Sequence, residues 1–166
     1  VTIDDYIKMI RLKTSVLLGG AMKIGALLAD SNSADAEHLY DFGVNIGLAF
    51  QLQDDYLDCF GDPEKFGKQI GGDIISNKKT FMMLKALELD SSGELNKWIE
   101  KESFNSSEKV VAVKALYKTL KVDDLASELM DEYYLKGLES LAAISINDEK
   151  KIMLKSFAAQ LMKRSS

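Results

Sequence analysis

Apolar positions recur every three or four residues along most of the chain, which is the spacing of helices that bury one face. The pattern predicts helices over residues 3–29, 33–60, 73–89, 93–101, 106–119, 122–142 and 148–163. Ser33 and Asp73 are predicted N-caps, because short polar side chains accept hydrogen bonds from the first helical turn. The connections are short and polar, so we predict an antiparallel helix bundle.

The composition agrees with an all-α fold. The chain has 166 residues, of which 46% are hydrophobic and 28% are charged, as in a single globular domain. It contains one proline and 11 glycines, too few for the many turns of a β-sandwich or barrel.

Charge and hydropathy argue against several classes of function. The net charge of −5 is spread along the chain without a basic block, so we expect no nucleic-acid partner. Charged residues interrupt each apolar run before the ~18 residues that a membrane span needs. The N-terminal residues lack a signal-peptide pattern, and the single cysteine, Cys59, cannot form an internal disulfide. We therefore expect a cytoplasmic protein.

Three aspartates interrupt an otherwise apolar helix in the segment FQLQDDYLDCFGD. At about 100° per residue, Asp54, Asp55 and Asp58 share one face of the helix. Gln51 falls on the same face. Two glycines also lie there, where missing side chains are expected to leave space beside the acids: Gly43 and Gly47.

The aspartate face has two interpretations. It is either a solvated acidic helix end or a metal site, since ionised carboxylates among apolar side chains need positive partners. Oxygen ligands without histidine suit Mg²⁺, which usually sits between one or two carboxylates and a phosphate. The apolar surroundings favour the second interpretation, which predicts Mg²⁺ and a phosphorylated ligand.

Basic side chains that could meet a diphosphate lie on two other segments. Lys13 is at the centre of an apolar stripe on the first helix, where it either meets a ligand or extends its ammonium group to the surface. Lys68 and Lys78 flank a glycine-rich segment, and each could also be an ordinary surface lysine. Thr14 either presents its hydroxyl group to the ligand or is a plain helix residue.

Three motifs together resemble a known family. They are KTSVLL at 13–18, GLAFQLQDDYLD at 47–58 and GDPEKFGKQIGGDIISNKKT at 61–80. In order and spacing they resemble the C-terminal half of all-trans isoprenyl diphosphate synthases of the farnesyl and geranyl type. The resemblance implies an isoprenoid-synthase helix bundle that lacks its N-terminal helices, with residues 1–166 as the C-terminal part of a single domain.

The resemblance also implies a metal site and a reaction. Asp54, Asp55 and Asp58 would be the second aspartate-rich motif, which holds Mg²⁺ against an allylic diphosphate, and Asp73 would assist through water. The allylic cation left by diphosphate would be attacked by isopentenyl diphosphate, which lengthens the chain by five carbons. Farnesyl diphosphate is the expected product, and a homodimer is the expected assembly.

Substrate contacts follow from the same resemblance. Three lysines would contact the allylic diphosphate: Lys13, Lys68 and Lys78. Thr14 and Gln51 would present oxygen atoms to the carbocation. Phe50 would line the site near isopentenyl diphosphate.

The match covers only part of the family's machinery. The family carries a first aspartate-rich motif on an earlier helix, and Asp4 and Asp5 lack its spacing. The chain begins at Val1 rather than at methionine and is much shorter than family members, so we expect a fragment that is inactive alone. Lys163 and Arg164 fall where family members place basic residues that help close the site, although a plain basic tail explains them equally well.

Other functions fit parts of the pattern. A class I terpene cyclase ionises a similar substrate, but its second metal motif requires a glutamate where this chain has Thr80. A di-iron bundle needs two ExxH pairs, and His38 is the only histidine. A non-catalytic helical subunit of a prenyl synthase stays an alternative.

Overall fold

The computed structural model describes residues 1–62 and 70–163. Its helices are α1 (Ile3–Ile10), a π-helical turn (Arg11–Ser15), α2 (Val16–Leu28), α3 (Ser33–Phe60), α4 (Gly72–Ile75), α5 (Phe81–Leu89), α6 (Glu94–Glu100), α7 (Ser106–Thr119), α8 (Val122–Ala142) and α9 (Asp148–Met162). The described residues form no β-strand, so the predicted all-α fold is confirmed. Among the described helices, none has both the length and the apolar character needed to cross a membrane.

The chain divides into two compact units, each with its own buried core. The first unit is Val1–Tyr6 with Asp54–Glu128, and the second is Ile7–Gln53 with Leu129–Ser166. Side chains buried in the first unit include Met82, Met83, Leu95, Val113 and Tyr117. The core of the second unit contains Phe42, Ile46, Leu141, Ile144 and Ala158. A single domain over residues 1–166 stays a prediction.

A π-helical turn interrupts the helix predicted over residues 3–29. The N–H of Val16 donates to the carbonyl of Arg11, five residues back, where an α-helix would use the residue four back. The wider turn changes the direction of the side chains that follow, so one uniform period does not describe the whole segment. Lys13 and Thr14 both lie in this turn, and such turns are frequent at functional sites.

Gly43 and Gly47 of α3 lie against the backbone of an earlier segment of the second unit. A Cβ added to Gly47 would be 2.9 Å from the Cα of Ser15, and one added to Gly43 would be 2.7 Å from the Cα of Gly19. These distances are too short for a side chain, so glycine permits the close approach. The expectation of open space beside the acids is therefore wrong, because helix backbone fills it.

The start of α3 is capped one residue earlier than predicted. Asn32 Oδ1, rather than the Ser33 side chain, accepts a 2.9 Å hydrogen bond from the N–H of Asp35. The carboxylate of Asp35 accepts in turn from Ser145, through its N–H at 2.9 Å and through its hydroxyl group. This pair joins the first turn of α3 to the connection between α8 and α9 within the second unit.

The helix predicted over residues 73–89 is two helices. Asn77 has a left-handed φ of 53° between α4 and α5, a conformation that a regular helix does not allow. Asp73 lies in the first turn of α4 and is not its N-cap residue, which is Gly71. Thr80 caps α5 by accepting a 3.3 Å hydrogen bond from the N–H of Met83.

Candidate functional site

The carboxylate of Asp55 uses both of its oxygens in hydrogen bonds within the first unit. Oδ1 accepts a 2.8 Å bond from Lys78 Nζ, and Oδ2 accepts a 2.7 Å bond from the hydroxyl group of Tyr6. The carboxylate is mostly buried, with 13% of the side chain exposed. A mostly buried carboxylate needs such partners, and Lys78 supplies the positive charge here. The predicted contact of Lys78 with a diphosphate stays a prediction.

Lys78 joins two segments that are distant in sequence. Its Nζ donates a second bond, of 2.7 Å, to Oδ2 of Asp73 at the start of α4. The N–H of Asp73 donates to Oδ2 of Asp58 at 2.8 Å, which fixes α4 against the end of α3. Lys78 keeps 46% of its side chain exposed, so the ammonium group can reach an incoming ligand while it is paired.

Electrostatics keep Lys78 cationic and Tyr6 neutral in this network. Although desolvation opposes it, hydrogen bonding to Asp55 and Asp73 raises the pKa of Lys78, so Lys78 stays cationic. Burial and the neighbouring Asp55 raise the pKa of Tyr6, which therefore remains a neutral donor. Desolvation raises the pKa of Asp73. The hydrogen bond from Lys78 opposes this rise, and the negative charges of Asp58 and Asp55 add to it.

The remaining predicted acids lie on the same helix end. Asp54 and Asp58 are partly buried, as is Asp55. Within residues 1–62 and 70–163, no three acidic, histidine or cysteine side chains form a group that could hold a metal ion unaided. A metal at this helix end would therefore need further oxygen ligands from a bound molecule.

Thr14, Gln51 and Phe50 come together in the second unit. The hydroxyl group of Thr14 donates a 3.2 Å hydrogen bond to Oε1 of Gln51. Thr14 also lines a largely apolar cavity of about 360 Å³, whose other lining residues are Leu17, Leu18, Ala21, Gly47, Phe50 and Leu161. The cavity thus combines mainly apolar walls with the hydroxyl-bearing residue Thr14, a composition common in small-molecule sites.

Lys13 differs from its predicted environment. The residue is exposed on the π-helical turn, whereas the sequence placed it at the centre of a buried stripe. Leu17 and Ile24 of the same stripe are also exposed, to 75% and 60%. The predicted burial is wrong because much of this stripe is itself exposed, including Met9 before the π-helical turn at 44%. The diphosphate contact of Lys13 stays a prediction.

Two other predicted basic residues lie outside the described residues, and a third lies at their C-terminal end. Lys68 and Arg164 are outside the described residues. Lys163 is exposed at the end of α9, where the neighbouring Met162 carbonyl accepts a 2.8 Å hydrogen bond from Nε2 of Gln53. Gln53 lies in α3, so this bond fixes the last turn of α9 to α3 within the second unit.

The sequence did not point to Tyr6 as a site residue. Tyr6 is 1% exposed and counts as an apolar position in the periodic pattern. Its only signal is a hydroxyl group at a core position, since buried tyrosines usually find a hydrogen-bond partner.

The chain is similar in sequence to known proteins. The polyprenyl synthetase family model matches residues 1–120. The chain is 35% identical to geranylgeranyl diphosphate synthase of Sulfolobus acidocaldarius, over 86% of this chain and 43% of the relative. It is 42% identical to farnesyl pyrophosphate synthase 1 of Cannabis sativa, over 83% of this chain and 40% of that protein.

A solved structure matches the fold as well. A crystal structure of geranylgeranyl pyrophosphate synthase superposes with a TM-score of 0.92 at 42% identity, covering 100% of this chain and 53% of the other. The matched part of the chain spans less than half the length of the two curated relatives, the synthases of Sulfolobus acidocaldarius and Cannabis sativa. The family match over most of the chain shows that it belongs to the polyprenyl synthetase family.

Proposed function

We propose that the protein containing this chain is a prenyltransferase that condenses isopentenyl diphosphate with an allylic diphosphate. The proposal rests on family membership and on one arrangement in the structure, the ammonium group of Lys78 held between Asp55 and Asp73. A cation flanked by carboxylates and still partly exposed suits the joint recognition of a diphosphate and its metal.

Mg²⁺ is the proposed cofactor, and the residues present fit it. The ion usually takes one or two protein carboxylates and completes its shell with phosphate oxygens and water, which agrees with an all-oxygen donor set. Asp54, Asp55 and Asp58 would hold it, with Asp73 acting through water. When bound, it would neutralise charge on the departing diphosphate.

The residues of the chain have separate tasks in the proposed reaction. Lys78, with Lys13 and Lys68, would bind the allylic diphosphate and stabilise it as the carbon–oxygen bond breaks and the electron pair leaves with diphosphate. Thr14 and Gln51 would direct oxygen lone pairs at the resulting cation. The double bond of isopentenyl diphosphate, near Phe50, attacks that cation, and the proton then lost passes to diphosphate.

Product length and assembly form the finer part of the proposal. Farnesyl diphosphate stays our predicted product, and the relatives carry both geranylgeranyl and farnesyl in their names. A homodimer is also proposed. Both are tested by product chromatography and by light scattering of the intact protein.

Thr80 argues against a class I cyclase, because the second metal motif of that class requires a glutamate at this position. This residue is 2% exposed, and its hydroxyl group caps α5. The position therefore offers no carboxylate to a metal. A non-catalytic subunit, in contrast, would retain the network around Lys78 and differ only in turnover.

Elongation by the intact protein tests the proposal. With Mg²⁺, geranyl diphosphate and isopentenyl diphosphate, the wild type should form a longer prenyl diphosphate. Asp55→Asn should lower kcat about a hundredfold, because it weakens both the metal ligand and the ion pair. Asp41→Asn, at an exposed position of the same helix, is the matched control and should leave kcat unchanged. Binding of a non-hydrolysable allylic diphosphate analogue without any product would instead indicate a non-catalytic subunit.

A further inference from the structure

Lys109 of α7 is a buried lysine whose partners are neutral groups of the turn before Lys78. The residue is 0% exposed. Its Nζ donates a 2.7 Å hydrogen bond to Oδ1 of Asn77 and a longer one, of 3.4 Å, to the carbonyl of Ile75. The same atom lies 4.2 Å from the ring centre of Phe104. Burying an ammonium group is costly, so an apolar residue would serve better if only packing were needed.

The side chain of Asn77 is held at both ends. While Oδ1 accepts from Lys109, Nδ2 donates a 3.2 Å hydrogen bond to the carbonyl of Ile99 in α6. Asn77 also carries the left-handed φ of 53° that ends α4. Asparagine tolerates this conformation better than most residues, but a single turn residue needs anchors to keep it.

Lys78 follows directly after this anchored turn. Its N–H donates a 2.9 Å bond to the carbonyl of Asp73, and its ammonium group spans Asp55 and Asp73. The direction in which Lys78 leaves the backbone is set by the dihedral angles of Asn77. A small change there would displace the ammonium group at the end of a long side chain.

We infer that Lys109 is a positioning residue for Lys78, acting through the side chain of Asn77. A charge-assisted bond holds the asparagine more firmly than a neutral one, which explains why a lysine occupies a buried position. Lys109 itself touches neither substrate nor metal in this account. Its effect on substrate binding rests on the proposed function, whereas its effect on the turn does not.

Kinetics of the intact protein test the inference against a matched control. Lys109→Met should raise the KM for the allylic diphosphate about tenfold and also lower kcat, because Lys78 would both bind the diphosphate and stabilise it as it leaves. Lys151→Met is the control, because Lys151 is also a buried lysine, at 4% exposure, with a 3.0 Å bond to the carbonyl of Ala142 in the second unit. It should lower the melting temperature without changing KM.

A double-mutant cycle tests whether the effect passes through Lys78. In a Lys78→Met background, adding Lys109→Met should leave KM unchanged, because the ammonium group to be positioned is gone. Equal increases in both backgrounds would overturn the inference. So would a KM for Lys109→Met that equals the Lys151→Met value at similar loss of stability.

Hydrogen exchange separates this inference from the proposed function. Lys109→Met should speed exchange of the Asn77 and Lys78 amides about tenfold relative to amides of α8, whether or not the protein is active. Unchanged exchange at these amides would overturn the inference alone. If exchange rises but Lys78→Met leaves the affinity for allylic diphosphate unaltered, the proposed role of Lys78 in binding fails, and with it the substrate effect assigned to Lys109.

Discussion

The hydroxyl group of Tyr6 donates a 2.7 Å hydrogen bond to Oδ2 of Asp55, which leaves Oδ1 to Lys78. Because Tyr6 is almost fully buried, its ring has no freedom to leave, and the carboxylate is fixed in one orientation. The orientation of a proposed metal ligand is thus set by a residue from the first helix of the chain.

Tyr6→Phe removes that hydrogen bond and little else. We expect the free energy of unfolding to fall by about 1–3 kcal/mol, the usual effect of losing a buried bond to a charged group. The apparent affinity for Mg²⁺, measured from the metal dependence of elongation, should fall about tenfold or more, as for other groups that orient metal ligands. If the variant loses stability but keeps its Mg²⁺ dependence, Tyr6 supports the fold only.

Gly47→Ala tests the close contact between α3 and the π-helical turn. The new methyl group would lie 2.9 Å from the Cα of Ser15, and backbone cannot move aside easily. We expect a loss of about 1–3 kcal/mol in the free energy of unfolding, typical of overpacking.

Gly20→Ala is the matched control for this prediction. Gly20 lies inside α2 with open space around its Cα, so alanine should stabilise the protein by about 0.4–1 kcal/mol through helix propensity. Denaturant unfolding of both variants measures the difference, and equal effects would contradict the packing described.

Much of the fold follows from the sequence, and the exceptions have local causes. Helices α7 and α8 begin and end as predicted, because their apolar stripes are regular. The π-helical turn contains Ser15, which lies close to Gly47, and a periodic pattern does not contain such a contact. At the break, the side chain of Asn77 bonds to Lys109 and Ile99, both remote in sequence, so a local pattern does not contain these contacts.

The candidate site was predictable only in part. The spacing of Asp54, Asp55 and Asp58 indicated the acidic face. Lys78 was predicted to meet a diphosphate, and its ion pairs with Asp55 and Asp73 were not expected. The hydrogen bond from Tyr6 to Asp55 was not predicted, because a tyrosine in an apolar stripe is usually a core residue. For Lys13 the sequence left both a ligand contact and a surface position open, and the structure shows an exposed side chain.

Stability in acid tests the hydrogen bonds between Asp35, in the first turn of α3, and Ser145. The hydrogen bonds from the hydroxyl group and N–H of Ser145 lower the pKa of Asp35 below its ordinary value, despite partial desolvation. A carboxylate with a lowered folded pKa stabilises the protein above the unfolded value of about 3.9, and that stability is lost as the pH falls through the folded pKa.

Asp35→Asn should therefore reduce stability near neutral pH and flatten the fall in stability below about pH 4. Asp131→Asn, at an exposed position of α8, is the control and should keep the acid-dependent fall. Denaturant unfolding between about pH 7 and pH 2 checks both, and a variant at Asp35 with an unchanged profile would refute the assignment.

Lys13→Ala tests a ligand contact on an exposed turn. Because Lys13 is exposed, we expect the melting temperature to change by less than about 2 °C. The affinity for an allylic diphosphate analogue should fall about tenfold, as for loss of a charge-assisted contact. Lys8→Ala, at an exposed position of α1, should change neither quantity. A stability loss without an affinity loss would show that Lys13 serves the fold.

Calorimetric titration of the intact protein with a non-hydrolysable allylic diphosphate analogue, at increasing Mg²⁺, tests the proposed metal–diphosphate site most directly. We expect Mg²⁺ to increase the affinity of the wild type for the analogue. In Asp54→Ala this increase should be at least about tenfold smaller, while circular dichroism shows an intact fold. Equal enhancement by Mg²⁺ in the wild type and in Asp54→Ala would contradict this expectation.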